Sequence, residues 1–522
     1  MELLKQYVRM NRLERTGEIQ LSLEEDFNLP DTKPDVSSIC LEKGEVFVEE
    51  IRPAADAVTV KGKLAFSVLY DTRENGGGLE RTEGKIPFEE KINLEGLMAT
   101  EEPFVTGTVD DLTVGMINSR KLSVQSVVTL RATVDVISEE ELPVGVAESG
   151  ELQGDAQVRQ VPIDFTKACL CRKDVCRIKE ELSLPSGYPN LGRILWKSVE
   201  PGEMNFRLGE EQLYVQGELR VFVLYEGEGE DQMPQIYETR VNVSSQMACS
   251  GCREGMALDV RYGIAGSELT PKPDLDGELR ELGLEVTLAL RICVYEEERL
   301  SVVKDVYGVR QEIREQERTA NLRQLVRCVT GKTRVADHLA VPGGVKPLQL
   351  IRGEAELGPI HSQVRDGGIS IQGSLGVKIL YVTGEDDNPY GCLKAALPFE
   401  YSLEIPGMKK EDDPEQIQAR VEQLSLAMPD GEEVDVKAVL SFSVSVFRDL
   451  SVEVVSALSQ EPVGREKLSA LPGMVAYVVK EGEDLWSIGK KYYVPVQSIM
   501  DVNDLSSGEV MPGQKLLIIK GE

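Results

Sequence analysis

Cysteines and histidines are the residues in this sequence whose side chains could hold a metal ion or act as nucleophile and base. Five of the nine cysteines form two groups, namely Cys169, Cys171 and Cys176, and the C-x-x-C pair Cys249 and Cys252. A structural zinc site needs four such ligands, but neither a second C-x-x-C nor a nearby histidine supplies the rest. An odd cysteine count in a large chain also argues against a disulfide framework. We therefore predict nine reduced thiols, no metal and no cofactor.

Acid–base catalysis has few candidate residues. The two histidines, His338 and His361, have no serine or cysteine nucleophile motif beside them. The sequence contains no G-x-S-x-G, P-loop or H-E-x-x-H motif. The acids in "ENGGG" and "EGEGED" would repel a phosphate, so we interpret both segments as hairpin turns. We predict that the protein is not an enzyme and has no catalytic residues. A hidden glycosidase carboxylate pair stays open, because 89 acidic residues make such pairs common.

The net charge restricts the partners that the chain could bind. Lys and Arg total 58 against 89 Asp and Glu, a net charge of −31, which repels nucleic-acid phosphates and anionic headgroups. No run of roughly eighteen apolar residues is present. The first residues, "MELLKQYVRMNRLERTGEIQ", have charges throughout and no h-region of a signal peptide. We expect no nucleic-acid partner, no direct membrane insertion, and a protein that stays in the compartment where it is made.

One strand-like pattern occurs three times, as "VTVKGKLAFSVLY", "LYVQGELRVFVLY" and "ISIQGSLGVKILY". Its glycines, Gly62, Gly217 and Gly373, are separated by 155 and 156 residues (217 − 62 and 373 − 217). Apolar residues alternate with polar or small ones, which is typical of a half-buried strand. A glycine inside a strand indicates a bulge or a close backbone approach.

A proline-bearing segment precedes each copy of the strand. The first two copies share Leu-Pro, a second proline and an isoleucine at the same spacing, in "LPDTKPDVSSIC" from Leu29 and "LPSGYPNLGRIL" from Leu184. In the third copy, "VPGGVKPLQLI", the second proline is displaced by one residue to Pro347. Two prolines at this spacing predict an extended, non-helical lead into the sheet.

These features predict a mainly β fold, with three tandem β-sandwich-like repeats and a small α+β (βααβ) domain at the end. We place the repeats at residues 1–148, 149–310 and 311–464, and the last domain at 474–522. Antiparallel pairing is expected because helical crossovers are missing. We predict helix in two places within the repeats, the N-terminal "MELLKQYVRMNRL" and the linker stretch "EIREQERTANLRQLV".

The C-terminal segment resembles a LysM domain. Its opening motif lies in "YVVKEGEDLWSIGKKY", its second-helix motif in "IMDVNDL" and its closing Pro-Gly-Gln-x-Leu in "VMPGQKLLI". The residues that carry the resemblance are Tyr477, Val479, Gly482, Glu483, Leu485, Ile488, Ile499, Asn503, Leu505, Pro512, Gly513, Gln514 and Leu516. The pattern itself predicts a strand, a helix capped by Asp484, a second helix carrying Ile499, and a closing strand. Most of the apolar motif residues are interpreted as core.

The resemblance to LysM domains also implies a binding groove between the first strand–helix loop and the loop before the last strand. In this chain the groove would use Glu483, Asp484, Trp486, Val510 and Met511. We expect Trp486 to be partly exposed, one step round the helix from the buried Leu485 and Ile488. It would then either contact a partner or cover the core of the module.

Three such repeats followed by one LysM module resemble the SipL-like family of spore-coat morphogenetic proteins, which carry SPOCS-type domains in spore-forming Firmicutes. The resemblance implies a non-enzymatic scaffold in the mother-cell cytoplasm, at the forespore surface or spore coat. Its partners would be the coat-basement ATPase SpoIVA, bound through LysM, and other coat proteins. Because most LysM domains bind N-acetylglucosamine polymers, the alternative is a protein that binds peptidoglycan at the spore cortex.

Overall fold

The computed structural model describes residues 1–72, 78–147, 155–229, 234–341, 346–385, 389–415, 417–429, 431–462 and 472–520. Most of these residues lie in antiparallel strands, and the two α-helices found among them lie near the C-terminus. The mainly β fold class with a terminal α+β module is therefore confirmed. The predicted boundaries near residues 149 and 465 lie outside the described residues, as do all or part of the turns predicted at "ENGGG" and "EGEGED".

The strands form three successive units and a C-terminal module. The first unit contains β1 (Glu2–Asn28), β2 (Ser38–Ala54), β3 (Ala57–Thr72), β4 (Gly78–Asn93), β5 (Phe104–Asn118) and β6 (Lys121–Ala147). The second unit contains β7 (Ala156–Ser183), β8 (Leu191–Gly209), β9 (Gln212–Gly227), β10 (Pro234–Ala248), β11 (Ala257–Pro273) and β12 (Leu279–Gly308). The third unit contains β13 (Gln311–Ala340), β14 (Gln349–Leu357), β15 (His361–Arg365), β16 (Gly368–Val382), β17 (Tyr390–Glu404), β18 (Asp413–Pro414), β19 (Gln418–Ala427) and β20 (Glu433–Pro462). The module contains β21 (Met474–Val478), α1 (Leu485–Tyr492), α2 (Val496–Val502) and β22 (Lys515–Ile519).

Each unit packs two sheets face to face. In the first unit the sheets have the orders β1-β6-β5 and β2-β3-β4, and the second unit repeats this as β7-β12-β11 and β8-β9-β10. In the third unit β20 pairs with β13, β18 and β19, while β16 pairs with β14, β15 and β17. Alternate side chains of facing strands fill the space between the sheets, such as Val60 and Leu64 of β3 with Val124 and Val128 of β6. This is the sandwich arrangement expected from the alternating patterns.

The three repeated glycines lie in corresponding central strands, β3, β9 and β16. At two of them a neighbouring backbone comes too close for a side chain. A Cβ on Gly62 would lie 2.3 Å from the carbonyl oxygen of Phe47, and one on Gly217 would lie 2.5 Å from that of Glu203. The predicted close approach is confirmed at these positions, where the pairing with the neighbouring strand has a register shift beside the glycine.

Replacing Gly62 with Ala should destabilise the protein by about 1–3 kcal/mol, because the new methyl group overlaps a backbone atom that cannot rotate away. Gly115→Ala on β5 is the matched control, since a Cβ there meets its nearest neighbour at 4.0 Å. The free energies of unfolding of both variants, measured by denaturant titration, test this. Equal stability of the two variants would contradict the steric explanation.

The two helices predicted within the repeats are wrong. The N-terminal stretch is strand β1, paired with β6, and the stretch from Glu312 is part of β13, paired with β20. The buried residues there alternate, as Val8 and Met10 do in β1, and as Ala320 and Leu322 do around exposed Asn321 in β13. A period of two places both sets on one face of a strand, so pairing with a distant strand overrode the local helical propensity.

The prediction of nine free thiols is also wrong at one pair. Cys249 and Cys252 form a disulfide, and no other disulfide is present among the described residues. The chain turns tightly here, because the amide of Cys252 donates to the carbonyl of Cys249 at 3.0 Å. The turn brings the two Cα atoms to 5.6 Å, within the range of a disulfide, and both residues are buried in the core of the second unit.

The proline segments are held by side chains that the sequence patterns did not identify. The hydroxyl of Tyr70 donates to the carbonyl of Pro34 at 3.2 Å, and that of Tyr225 to the carbonyl of Pro189 at 3.0 Å. Arg120 and Arg280 each donate to the Leu-Pro turn, at Pro30 and Pro185 respectively. In the third unit Glu432 takes the corresponding backbone position and pairs with Lys346 at 2.9 Å. The third copy therefore closes this corner with a different interaction.

Two hydrophobic clusters join all three units, and each cluster contains equivalent residues from the three repeats. One cluster contains the equivalent residues Leu69, Leu224 and Leu380, each at most 1 % exposed, with Trp196 buried beside them. The other cluster is formed where β1, β7 and β13 meet. It contains two sets of equivalent residues, the first Val8, Ile163 and Ala320 and the second Met10, Phe165 and Leu322. Because each unit completes a core shared with the other two, the three units form one packed body.

Candidate functional site

The structure of the C-terminal module follows from local sequence signals. Asp484 caps α1 by accepting from the amide of Ser487 at 2.8 Å, while the Ser487 hydroxyl accepts from the amide of Asp484. This capping box confirms the predicted helix start. Tyr493 ends α1 in the left-handed conformation (φ 57°). The buried core consists of Tyr477, Val479, Leu485, Ile488, Val494, Ile499, Leu516 and Ile518.

Asn503 of the second-helix motif has a structural role. Its amide group donates to the carbonyls of Ile499 and Leu517, and its oxygen accepts from the amide of Leu517 at 2.6 Å. These three bonds tie the end of α2 to β22, satisfying backbone groups that the helix and the short sheet leave unpaired. The asparagine is thus required for the fold of the module rather than for contact with a ligand.

The two loops of the candidate groove meet at the end of the small sheet. The amide of Gly513 donates to Val479 at 2.8 Å, and the amide of Val479 donates to Gln514 at 2.9 Å, so the loop before β22 lies beside the strand that leads to Glu483. The carboxylate of Glu483 accepts from the hydroxyl of Tyr477 at 2.7 Å. This hydroxyl and a backbone amide lower the pKa of Glu483.

The other groove candidates differ in exposure. Val510 packs against the core of the module, and Met511 is 77 % exposed. Glu483 and Asp484 lie on the loop before α1, and Val510 and Met511 lie on the loop before β22. Of these side chains, Met511 is the one most available to a partner.

Trp486 faces the three-unit body. Its indole nitrogen donates to the Asp305 carboxylate at 2.7 Å, and its ring meets that of Tyr307 edge to face, with centroids 4.8 Å apart. The Tyr307 hydroxyl in turn donates to the carbonyl of Val494 at 2.9 Å. Trp486 is half-buried and stands outside the core cluster of the module. It therefore docks the module onto β12, a contact that the sequence did not predict.

Ion pairs surround this docking contact. Lys490, one turn after Trp486, binds Asp305 at 2.6 Å and Glu315 at 2.7 Å. Burial would lower the pKa of Lys490, but the two carboxylates outweigh burial and raise it. Arg159 of β7 binds Asp484 at 2.9 Å. We refer to the contact made by Asp484, Trp486, Lys490 and Val494 with Arg159, Asp305, Tyr307 and Glu315 as the LysM dock.

The body side of the LysM dock carries no signal in the sequence. Asp305 and Tyr307 lie in an ordinary alternating strand, and Asp305 is 181 residues from Trp486. Only the folded arrangement of β7, β12 and β13 brings Arg159, Asp305 and Glu315 together. A half-buried tryptophan beside a helix cap was the one feature that pointed to a contact here.

The described part of the chain offers neither a metal site nor a membrane-spanning helix. No cluster of three or more His, Cys, Asp or Glu side chains there could hold a metal ion. Within the same residues, no helix is long and apolar enough to cross a bilayer. His338 is exposed and its Nδ1 lies 2.6 Å from Asp435; His361 is exposed at the start of β15.

A packed body of three repeated β-sandwich units that carries a small βααβ module defines the protein as a tandem-repeat β protein with a C-terminal α+β module. Family comparison gives the more specific assignment. The model of the SipL SPOCS domain matches at residues 35–117, 190–270 and 348–428, and the LysM model matches at residues 477–518. The chain thus has the architecture of the SipL family, three SPOCS domains followed by a C-terminal LysM domain. It is a sporulation-associated protein with a module of the peptidoglycan-binding type, and both domain families are non-catalytic.

One curated relative is similar to the LysM region. The uncharacterized protein YkzQ of Bacillus subtilis (strain 168) is 45% identical over 42 residues, which is 8% of this chain and 56% of that protein. The chain thus spans about half the length of the relative it matches. No solved structure shows significant similarity to the chain.

Proposed function

We propose that this protein is a non-enzymatic scaffold for spore-coat assembly, recruited through its LysM module to the ATPase SpoIVA at the forespore surface. The observation that carries the proposal is the LysM dock. It fixes the module on a body whose three units share their cores, and it leaves Met511 exposed on the groove loops. A body that carries one fixed binding module and three repeated surfaces suits a scaffold, because several linked weak contacts together give a high overall affinity.

A second function is supported by the module itself. The two loops that would form a glycan groove are joined at their base by the bonds between Gly513, Val479 and Gln514. A groove of this kind in a LysM fold is consistent with binding to N-acetylglucosamine polymers. The protein would then meet peptidoglycan at the spore cortex.

Binding assays with purified SpoIVA and with purified peptidoglycan distinguish the two functions. We expect the full-length protein to bind immobilised SpoIVA and to stay in solution when peptidoglycan is sedimented. Met511→Ala should weaken SpoIVA binding by about 1 kcal/mol or more, because exposed side chains at the centre of an interface carry much of its energy. Met474→Ala is the matched control, since Met474 is also exposed (61 %) but lies at the far end of the sheet, where β21 begins.

The outcomes separate cleanly. Sedimentation with peptidoglycan and no binding to SpoIVA would replace the scaffold by the glycan-binding function. Equal binding of the two methionine variants to SpoIVA would remove the groove loops from the interface.

A further inference from the structure

A crevice of about 370 Å³ lies between the first and second units. One wall is the face of the β2–β3–β4 sheet, and the other is formed by β8 and β11. Its apolar surface includes Phe47, Phe66 and the buried Trp196. Its charged groups are four cations, Lys43, Arg81, Lys85 and Lys197, and two acids, Glu45 and Glu83. In a chain of net charge −31, such a local excess of positive charge is notable because it opposes the overall field.

Three of these cations, Lys85, Lys197 and Arg81, lack a full set of acceptors among the described residues. Glu45 pairs with Lys43 at 2.9 Å, and Glu83 pairs with Arg81. This leaves Lys197 with no ion pair or hydrogen bond to any of the described residues. The Nε of Arg81 is buried and likewise finds no hydrogen-bond partner among them. Burial, followed by the like charge of Arg81, lowers the pKa of Lys197. An anion placed between the two groups would relieve both penalties.

The repeat supplies an internal comparison for this position. Lys197 stands one repeat, 155 residues, after Glu42, and the two pair with equivalent residues, Val223 and Val68. Glu42 reaches from the first unit onto the third, where its side chain, 1 % exposed, binds Lys378 at 3.4 Å and also Lys394. The crevice between the third and first units thus holds a carboxylate of this chain between two lysines.

In the crevice between the first and second units, the equivalent positions carry different charges. Lys378 and Lys394 are paired across β16 and β17, and their equivalents in the first unit are Ser67 and Glu83, paired across β3 and β4. Arg81 already pairs with Glu83, and the charges of Glu83, Glu268 and Glu45 act on Lys197 only from beyond ion-pair distance. The two crevices therefore have the same backbone frame, but in one Glu42 forms ion pairs with two lysines, whereas in the other Lys197 forms no ion pair with the described acids.

We propose that the crevice between the first and second units binds an acidic segment of a partner protein, with one carboxylate between Lys197 and Arg81 and an adjacent apolar side chain against Phe47. A peptide fits better than a free anion, because it can place an apolar side chain against the aromatic wall beside its carboxylate. The complementary charge supplies specificity, and covering the aromatic wall supplies affinity. This site is separate from the LysM module, so it does not depend on recruitment through LysM.

The test uses the full-length protein and a fluorescein-labelled peptide, Gly-Phe-Glu-Glu-Phe-Gly, followed by fluorescence anisotropy. The matched peptide carries Gln in place of both Glu residues. We expect the acidic peptide to bind and the Gln peptide to bind at least roughly tenfold more weakly, as expected for the loss of a charge-assisted contact. Lys197→Gln should weaken the acidic peptide to a similar extent. Lys179→Gln, at an exposed lysine paired with Glu285, should leave binding unchanged.

Lys197→Glu separates a binding role from a structural one. The introduced carboxylate can pair with Arg81 as Glu42 does with its lysines, so we expect peptide binding to be lost while the melting temperature stays the same or rises. A fall in melting temperature would show that the crevice does not accept a carboxylate and would overturn the proposal. Failure of the wild-type protein to bind the acidic peptide, or equal binding by Lys197→Gln, would also overturn it. None of these three results would bear on SpoIVA binding through LysM.

Discussion

Trp486→Ala is expected to release the LysM module from the body while leaving the module folded. The variant loses the hydrogen bond to the Asp305 carboxylate and the edge-to-face contact with Tyr307. Together these interactions should stabilise the docked state by about 2 kcal/mol or more. The core of the module does not include Trp486, so the far-ultraviolet circular dichroism and melting of the module should change little. Hydrogen exchange at α1 and near Tyr307 should become faster.

Asp305→Ala is the matched control for partner binding. It breaks the same dock from the body side, removing the acceptor of Trp486 and one acceptor of Lys490, and it leaves the module unaltered. If only Trp486→Ala loses SpoIVA and disperses from the forespore, Trp486 itself contacts the partner. If both variants lose it, recruitment needs the docked geometry. Unchanged hydrogen exchange in Trp486→Ala would contradict the dock as a stabilising contact.

The C-terminal module was predictable because its signals are local. The Asp484 cap, the buried positions Leu485 and Ile488, and the strand alternation of "KLLII" lie within a few residues of the groups they act on. A resemblance to a known family then placed the groove loops. The same locality explains why the central strands with Gly62, Gly217 and Gly373 could be recognised, since a repeat needs no knowledge of the fold.

The sequence was ambiguous wherever a distant strand decided the outcome. In β1, Leu3, Tyr7 and Met10 are spaced like one face of a helix, and only pairing with β6 selects the alternation in which Val8 and Met10 are buried. The LysM dock depends on Asp305, and the shared cores depend on residues from three units. Such contacts follow from packing of the whole chain, and no local pattern encodes which residues meet.

Glu415→Ala is expected to destabilise the whole body by about 3–5 kcal/mol, the cost of removing one partner from a buried ionic cluster. The side chain of Glu415 is 1 % exposed and binds Arg261 at 2.8 Å, with Arg323 at 3.8 Å and Arg291 at 4.0 Å. Arg291 also binds Asp135 of the first unit at 2.7 Å. The cluster therefore links all three units, and without Glu415 its arginines would be left buried with too little negative charge.

Glu461→Ala is the matched control, because Glu461 pairs with Arg314 at 3.3 Å with both side chains more than 60 % exposed. Exposed pairs of this kind contribute about 0–1 kcal/mol. Denaturant unfolding of both variants, monitored by circular dichroism, gives the comparison. Because Glu415 bridges units, its loss should lower the midpoint of the entire transition rather than produce a separate early step for the third unit. A third unit that unfolds alone, with the first and second units unaffected, would contradict the expectation that the shared hydrophobic cores make the three units unfold together.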